Sequence, residues 1–575
     1  MPEAVRVQHL VVGGSAAAVA AVEAIRSWEE QGAGGPAARP PVARRAGRSA
    51  TRRSSIAVVS EEPYPPYARH LISYYLTGER EGDLLAYRPA DFWARHDVQA
   101  YLGYRVVSLD VTAGEARLRR VARPRPLPVG LPDGLPDEPA GDESPAAPGE
   151  ELIIGYEALL LATGGQPILP PISDPGCRAP ANGDRAASTF SGVAEGTAPA
   201  VAATAGLPDG LSFFTTLDDA IRVRRAVAAG ARRVVVVGGG LIGLQVAEAL
   251  VRLGVKVEIV ELLPRLLGPV LDEAAAARVE TLVRRAGVGV WTGVAAAAVE
   301  RDDAGRLTGV VLSDGRRLAA DLVILAAGVR PRLELARAAG LACDRGVVLV
   351  RGTETSIPGI FAAGDVAQGW DMAAEALRPL PVWSNAVLQG REAGRQMAAR
   401  LLGIDPSTPD SGRDDGLGGN GSRRPAERPA PGRPFPGLML NAAHFFGLSV
   451  VSAGLPNPPP GDDRYQVVAW SKELSKGDNG RRNGRPTPDR SGATQLLAGG
   501  GWDYRKLVFR EGRLVGLLAA GPSVAGAGAI AGLLRRGLTL NDPATGEALA
   551  EKWDWSVLPR SLRRELLWEA GRDEW

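Results

Sequence analysis

The segment Gly238-Gly239-Gly240-Leu241-Ile242-Gly243 carries glycines at the spacing with which a strand turns sharply into a helix. Gly238 permits the tight turn, Gly240 lets the backbone approach a pyrophosphate, and Gly243 lets helix and strand pack closely. With Leu241 and Ile242 opening the helix, its free N–H groups and positive dipole end would face the phosphates. Such a glycine pattern is weak alone, because a purely structural turn in an α/β protein looks the same. Here it follows the valine-rich run Arg233 to Val237 and precedes a second run, Lys256 to Val260, that ends at Glu261. A carboxylate there accepts hydrogen bonds from both ribose hydroxyls and repels a 2′-phosphate. Glu261 therefore favours NAD(H) over NADP(H), and Arg265 nearby weakens the preference.

A second copy stands near the N-terminus as Gly13-Gly14-Ser15-Ala16-Ala17-Ala18. Ser15 replaces the second glycine and Ala18 the third; alanine is tolerated there, and the Ser15 hydroxyl is able to add a phosphate hydrogen bond. The acidic partner is Glu61, after the run Ile56 to Ser60, reached only across an insertion. Taken by itself this segment also reads as the start of a plain alanine-rich helix.

Little else offers chemistry. The two cysteines, Cys177 and Cys343, form no CxxC or CxxxxC pair and have no metal-ligand spacing. A dithiol relay and a metal site are therefore not expected. The four histidines, His9, His70, His96 and His444, are scattered and read best as surface or satisfied core residues.

These motifs need elements to position them. Short apolar runs bounded by glycine, at Val7 to Val12, Ala158 to Leu161, Asp321 to Ala326 and Gly359 to Ala362, predict parallel strands covered on both faces. Helices are expected over Ala16 to Glu30 and Leu241 to Leu253. From about Phe435 the runs Gln466 to Trp470, Lys506 to Arg510 and Leu514 to Leu518 predict a separate α+β domain. Residues 31–54, 123–149, 173–210, 405–434 and 476–492 are rich in Pro, Gly, Arg, Asp or Ala without an apolar period, as in linkers or surface insertions. Leu514 to Leu534 is uncharged and nearly bilayer length. Its glycines and Pro522 break it into strand, turn and short helix, so no integral membrane span is expected. The 67 basic and 65 acidic side chains nearly cancel, leaving no global field for nucleic acid or a membrane surface. The N-terminus lacks a signal-peptide pattern, and a cytoplasmic location is expected.

An ordered series of motifs links the two glycine cradles. After Glu61 come Pro63-Tyr64-Pro65-Pro66-Tyr67-Ala68-Arg69 and Leu71-Ile72-Ser73-Tyr74-Tyr75-Leu76-Thr77-Gly78. Leu160-Leu161-Ala162-Thr163-Gly164-Gly165 precedes the second cradle, and Ala326-Ala327-Gly328-Val329-Arg330-Pro331 follows it. The series closes on Thr355-Ser356-Ile357-Pro358-Gly359-Ile360-Phe361-Ala362-Ala363-Gly364-Asp365. It resembles the FAD-dependent pyridine nucleotide oxidoreductases, in the branch of NADH-dependent rubredoxin and ferredoxin reductases and nitrite reductase flavin domains. The likeness spans most of the chain to Ile404 outside the insertions, and Phe435 to Gly454 and Tyr504 to Ala519 are similar to that branch's C-terminal domain.

The resemblance implies an α/β fold: two Rossmann-like three-layer dinucleotide-binding domains, for FAD and NAD, plus a smaller C-terminal α+β domain. It divides the chain into FAD-binding residues 1–212 and 338–404, NAD(H)-binding residues 213–337, a linker at 405–434 and the C-terminal domain at 435–575. Glu61 would hold the adenosine ribose of FAD, Arg69 would contact its pyrophosphate or flavin side, and the Val106 backbone would meet the adenine. Ala162, Thr163 and Gly164 would line the cofactor, and Asp365, after Gly364 at a helix start, would accept from the ribityl chain. A helix-start Asp is also an ordinary N-cap. Gly328 would let the nicotinamide approach. Trp383 and Gln389-Gly390 would pack near the flavin, although Trp383 reads equally as a core residue.

The implied activity is hydride transfer from NADH to FAD, then electron transfer to an iron–sulfur or rubredoxin-type carrier or a partner subunit. It needs no catalytic side chain, and none is assigned. Relatives that work through cysteines carry one or two near the flavin; Tyr67-Ala68-Arg69-His70-Leu71 has none. Ferredoxin-reductase-like relatives place a lysine where Tyr74 and Tyr75 stand. An NADH oxidase using oxygen and an NADH-responsive regulatory flavoprotein remain open alternatives. The second draws on the Leu562, Leu566 and Leu567 stripe within Glu551 to Trp575, and the C-terminal domain is a candidate homodimer face.

Overall fold

The first strand, Val5–Val12, is apolar along most of its length because parallel neighbours flank it and helices cover it. The computed structural model describes residues 5–34, 53–128, 151–174, 207–403, 433–474 and 501–535. Strand Val5–Val12 pairs in parallel with Ile56–Ser60 and with the C-terminal part of Glu151–Leu161, whose other edge there takes Ile360–Ala362. Val98–Leu102 extends the sheet beyond Ile56–Ser60, and the antiparallel strands Tyr104–Asp110 and Glu115–Arg120 complete seven. Helix Ala16–Gly34 and helix Trp383–Leu401 pack so closely that a Cβ on Gly390 would stand 2.2 Å from the Ala17 carbonyl oxygen.

A second, all-parallel sheet has the order Gly289–Thr292, Lys256–Glu261, Arg233–Val237, Leu322–Leu325, Leu211–Phe213. Helices Leu217–Ala228, Leu241–Arg252 and Glu273–Arg285 and an antiparallel three-stranded sheet accompany it. Val234, Val235 and Val236 are almost wholly buried; each such side chain contributes on the order of 1.5–3 kcal/mol. The C-terminal domain is an antiparallel sheet of Leu440–Phe445, Leu448–Gly454, Arg513–Ala520, Gly501–Arg510 and Tyr465–Leu474, with helix Ala527–Arg535 against it. One apolar core joins Phe445 and Val450 of this sheet, with Phe446 of its first turn, to Leu244 and Val246 of the second domain and Ile72 and Tyr75 of the first.

The fold is thus two Rossmann-like α/β domains plus a smaller α+β domain, as the sequence implied. Leu514 to Leu534 forms a strand, a 3-10 turn and a short helix as expected. No helix among the described residues is long and apolar enough to cross a membrane. One local expectation is corrected: Gly364–Val366 is a single 3-10 turn and starts no longer helix. The backbone is already extended at Ala367, because Ala367–Asp371 pairs with Ala376–Pro379 and Pro436–Gly437 as a strand. Most of the insertions, Cys177 and the tail from Glu551 lie outside the described residues.

His9 lies fully buried in the first strand, and its ring nitrogens have no hydrogen-bond partner among the described residues. Burial lowers its pKa from 6.5 to about 4, with Glu29 opposing and Arg26 assisting. Between those values the folded chain binds fewer protons than the unfolded one, so this stability is complete above pH 6.5 and declines on acidification. At pH 5 the loss is about 2 kcal/mol. Urea unfolding at pH 7 and pH 5 should show His9→Leu losing less stability between the two than the natural chain by that amount; an equal loss would rule out a buried neutral His9.

Candidate functional site

The parallel strands of both sheets present their carboxyl ends to one continuous cleft of about 2150 Å³. Open α/β sheets bind ligands at this edge. The two glycine cradles have the same construction. The Gly13 N–H donates to the Val59 carbonyl and the Gly238 N–H to the Val260 carbonyl, each at 2.8 Å. Ala162 and Ala326 return the pattern, donating to Val12 at 2.8 Å and Val237 at 2.7 Å. Gly13 has φ +129° and Gly238 φ +117°, and a Cβ on either would lie within 2.2 Å of the Ala162 or Ala326 carbonyl oxygen. No other residue fits these positions.

The following positions diverge in chemistry and agree in space. A Cβ on Gly240 would meet nothing within 4 Å, so the second cradle is open towards the cleft. Ser15 stands at the corresponding place and lines the cleft beside Ala16. Gly243 is away from the cleft; a Cβ there would lie 2.0 Å from the Gly238 carbonyl oxygen, so its role is packing. Its counterpart Ala18 is fully buried. Helix Leu241–Arg252 has no side-chain cap at its N-terminus, which leaves backbone donors for an anion. These features fit a dinucleotide in each cradle.

The two acids are not equivalent. Val12 pairs with Val59 as Val237 pairs with Val260, which puts Ser60, rather than Glu61, at the place of Glu261. A Cβ on Gly14 would meet the Ser60 Oγ at 2.8 Å, where one on Gly239 would meet the Glu261 carboxylate at 3.1 Å. Glu261 accepts hydrogen bonds from the Gly239 N–H at 2.6 Å and the Leu263 N–H at 2.7 Å, which fixes its carboxylate at the cradle. Glu61, one residue further along, is paired with Arg105 and, at 3.1 Å, with Arg332. Both arginines line the cleft, and sequence reasoning did not select them. Their only signal was adjacency, Arg105 to Val106 and Arg332 to the Val329-Arg330-Pro331 motif.

Between the cradles lie the groups expected beside a flavin. Arg69 donates to Glu62 and to the Thr215 carbonyl at 2.8 Å. Burial works to lower its pKa, but Glu62, Tyr67 and Asp365 together outweigh burial and hold it above the ordinary arginine value. Burial raises the Asp365 carboxyl above the usual range, with Arg69 opposing. The turn bearing Asp365 is held by Gln389, whose Oε1 accepts from the Gly364 N–H at 2.8 Å. Gln389 and Gly390 are thus behind the cleft wall rather than on it. Trp383 is on the wall, edge-on to His70 and to Tyr87 at 4.9 Å each. Val106 lies beside a bulge that leaves Val107 outside the ladder register, which frees backbone at the cleft. Thr163, Gly164 and Gly328 line the junction of the two halves. Of the cofactor residues expected from sequence, all except Gly243 line this cleft.

Residues 7–390 match the family model for pyridine nucleotide-disulphide oxidoreductases. The chain belongs to this family. It is accordingly an FAD-dependent oxidoreductase that uses NAD(H). It is 27% identical over 461 residues to the NADH-dependent phenylglyoxylate dehydrogenase subunit epsilon of Aromatoleum evansii, covering 79% of this chain and 81% of that one. It is 30% identical over 343 residues to putidaredoxin reductase of Pseudomonas putida, covering 60% and 66%. The solved putidaredoxin reductase–putidaredoxin complex shares the fold at TM-score 0.62 and 21% identity, covering 99% of both chains.

Glu261→Arg should weaken NADH binding roughly tenfold or more, as expected for lost hydrogen bonds to a charged group, and narrow the gap to NADPH. Equilibrium titration of the variant with both nucleotides checks this; an unchanged ratio of affinities would contradict the role of Glu261.

Proposed function

We propose that this chain takes a hydride from NADH onto FAD and passes electrons to an iron–sulfur or rubredoxin-type carrier or to a partner subunit, without a redox disulfide. The observation that carries the reading is the pair of matched cradles opening on one cleft. When bound, the flavin supplies the two-electron to one-electron chemistry, so the protein's task is placement. The Gly238 turn and Glu261 would hold the NADH pyrophosphate and ribose. The Gly13 turn, Ser15, Glu61, Arg105 and Arg332 would hold the adenosine and pyrophosphate of FAD. Arg69 would meet its pyrophosphate or flavin side, and Asp365 would accept from the ribityl chain. Gly164 and Gly328, without side chains, would let the two rings approach. The division into FAD-binding residues 1–212 and 338–404, NAD(H)-binding residues 213–337 and a C-terminal domain at 435–575 belongs to this reading, as does a cytoplasmic location.

The names of the relatives support the class of acceptor: one is a subunit of an NADH-dependent dehydrogenase, the other a reductase of putidaredoxin. The sequence supports direct transfer from the flavin, since no cysteine stands near Arg69. A regulatory role rested on the tail beyond Glu551, which lies outside the described residues.

Steady-state NADH oxidation separates the acceptors. Turnover with a [2Fe–2S] ferredoxin or rubredoxin should exceed turnover with oxygen alone by at least about tenfold, equivalent to about 1.4 kcal/mol of barrier. Equal rates with oxygen alone would favour an oxidase, and slow rates with every acceptor a regulatory flavoprotein.

A further inference from the structure

Between strand Lys256–Glu261 and helix Glu273–Arg285 the chain passes through residues 262–272, and Leu262, Leu263, Leu267, Pro269 and Val270 form cleft wall beside Glu261. This loop is fastened to the cradle. The Leu267 N–H donates to the Gly239 carbonyl at 2.9 Å, and a Cβ on Gly239 would meet the Leu266 side chain at 2.5 Å. Leu267 has φ +53°, in the left-handed region that a leucine rarely enters, and is buried. Such a conformation persists only where the surroundings over-determine it.

The surroundings that hold the far side of the loop belong to the C-terminal domain. Asn457 Nδ2 donates to the Gly268 carbonyl at 3.3 Å and the Leu271 carbonyl at 2.9 Å. Asp272 caps the next helix by accepting from the Ala275 N–H at 3.0 Å. It also accepts from the Tyr504 hydroxyl at 2.6 Å and the Lys506 ammonium at 3.0 Å. Burial works to raise the Asp272 carboxyl, but these donors hold it below the usual range. Trp502 stacks on Tyr504 with ring centroids 4.9 Å apart, and Tyr504 and Lys506 are both buried.

We propose that Asn457 and the Tyr504–Lys506–Asp272 cluster are positioning residues through which the C-terminal domain sets the NADH affinity of the cleft. They touch neither dinucleotide cradle; they hold the loop that in turn holds Gly239 and Glu261. Loosening them frees Leu267 from its left-handed conformation, detaches the loop from Gly239 and unfixes the Glu261 carboxylate. The flavin cradle, built on Gly13 and Ala162, has no part in this chain of contacts. NADH affinity and NADH/NADPH discrimination should therefore change while flavin content and turnover at saturating NADH do not. The inference rests on NADH being the donor.

The test uses the full-length holoprotein with Asn457→Ala and, as a milder change, Tyr504→Phe. Dissociation constants for NADH and NADPH, KM for NADH, kcat and bound flavin are measured together. Each variant should raise the NADH dissociation constant and KM fivefold or more, keep kcat and flavin content within twofold of the natural chain, and narrow the preference over NADPH. Unchanged NADH affinity in both variants overturns the proposal. A parallel fall in kcat, flavin content and affinity also overturns it, marking the cluster as a folding element. Failure of the natural chain to bind NADH removes the donor reading and this inference with it.

Discussion

Two backbone contacts organise this molecule: Gly13 against the Ala162 carbonyl, and Gly238 against the Ala326 carbonyl. In each domain the central strand, Val5–Val12 or Arg233–Val237, must be followed by a residue with positive φ and no Cβ, so that the chain turns sharply into its helix. That turn exposes the helix N-terminus and brings the end of the acid-bearing strand to the same edge. Because both domains direct that edge inwards, the two glycine cradles share one cleft. Placing the rings of two bound dinucleotides in contact is then a property of the backbone, with few side chains needed.

On the proposed reading, the side chains that differ between the halves suit similar folds to different cofactors. Glu261 is fixed by two backbone N–H groups and, among the described residues, pairs with no arginine, an arrangement suited to two ribose hydroxyls and hostile to a phosphate. Glu61 is set one residue further along and carries two arginines, which puts positive charge on its side of the cleft. A permanently held cofactor gains from such extra contacts, whereas an exchanging one must also leave. The C-terminal domain enters the same logic, since Leu440, Asn441, Ala442 and Ala443 supply part of the cleft wall.

Most of the architecture was legible in the sequence because it rests on short apolar runs and glycine spacings. The Gly238 turn, its helix and its second strand fell within a residue of expectation, as did Ile56–Ser60 with Glu61 at its end. What was not legible depends on tertiary approach. The one-residue offset between Glu61 and Glu261 follows from strand register, which no local pattern states. Arg105 and Arg332 reach Glu61 from distant segments, and Gln389, expected near the flavin, accepts from the Gly364 N–H out of a helix that the sequence reading did not predict. The turn at Asp365 had a local helix-start pattern, and sheet pairing at Ala367–Asp371 overrode it.

The central claim, that the two cradles bring a nicotinamide against a flavin, is tested most directly by anaerobic titration of the purified protein with NADH while following the flavin absorbance. The purified protein should carry flavin whose oxidised band disappears with one NADH per flavin. A protein that carries no flavin and takes up none on reconstitution, or one whose flavin stays oxidised although NADH is bound, would contradict it.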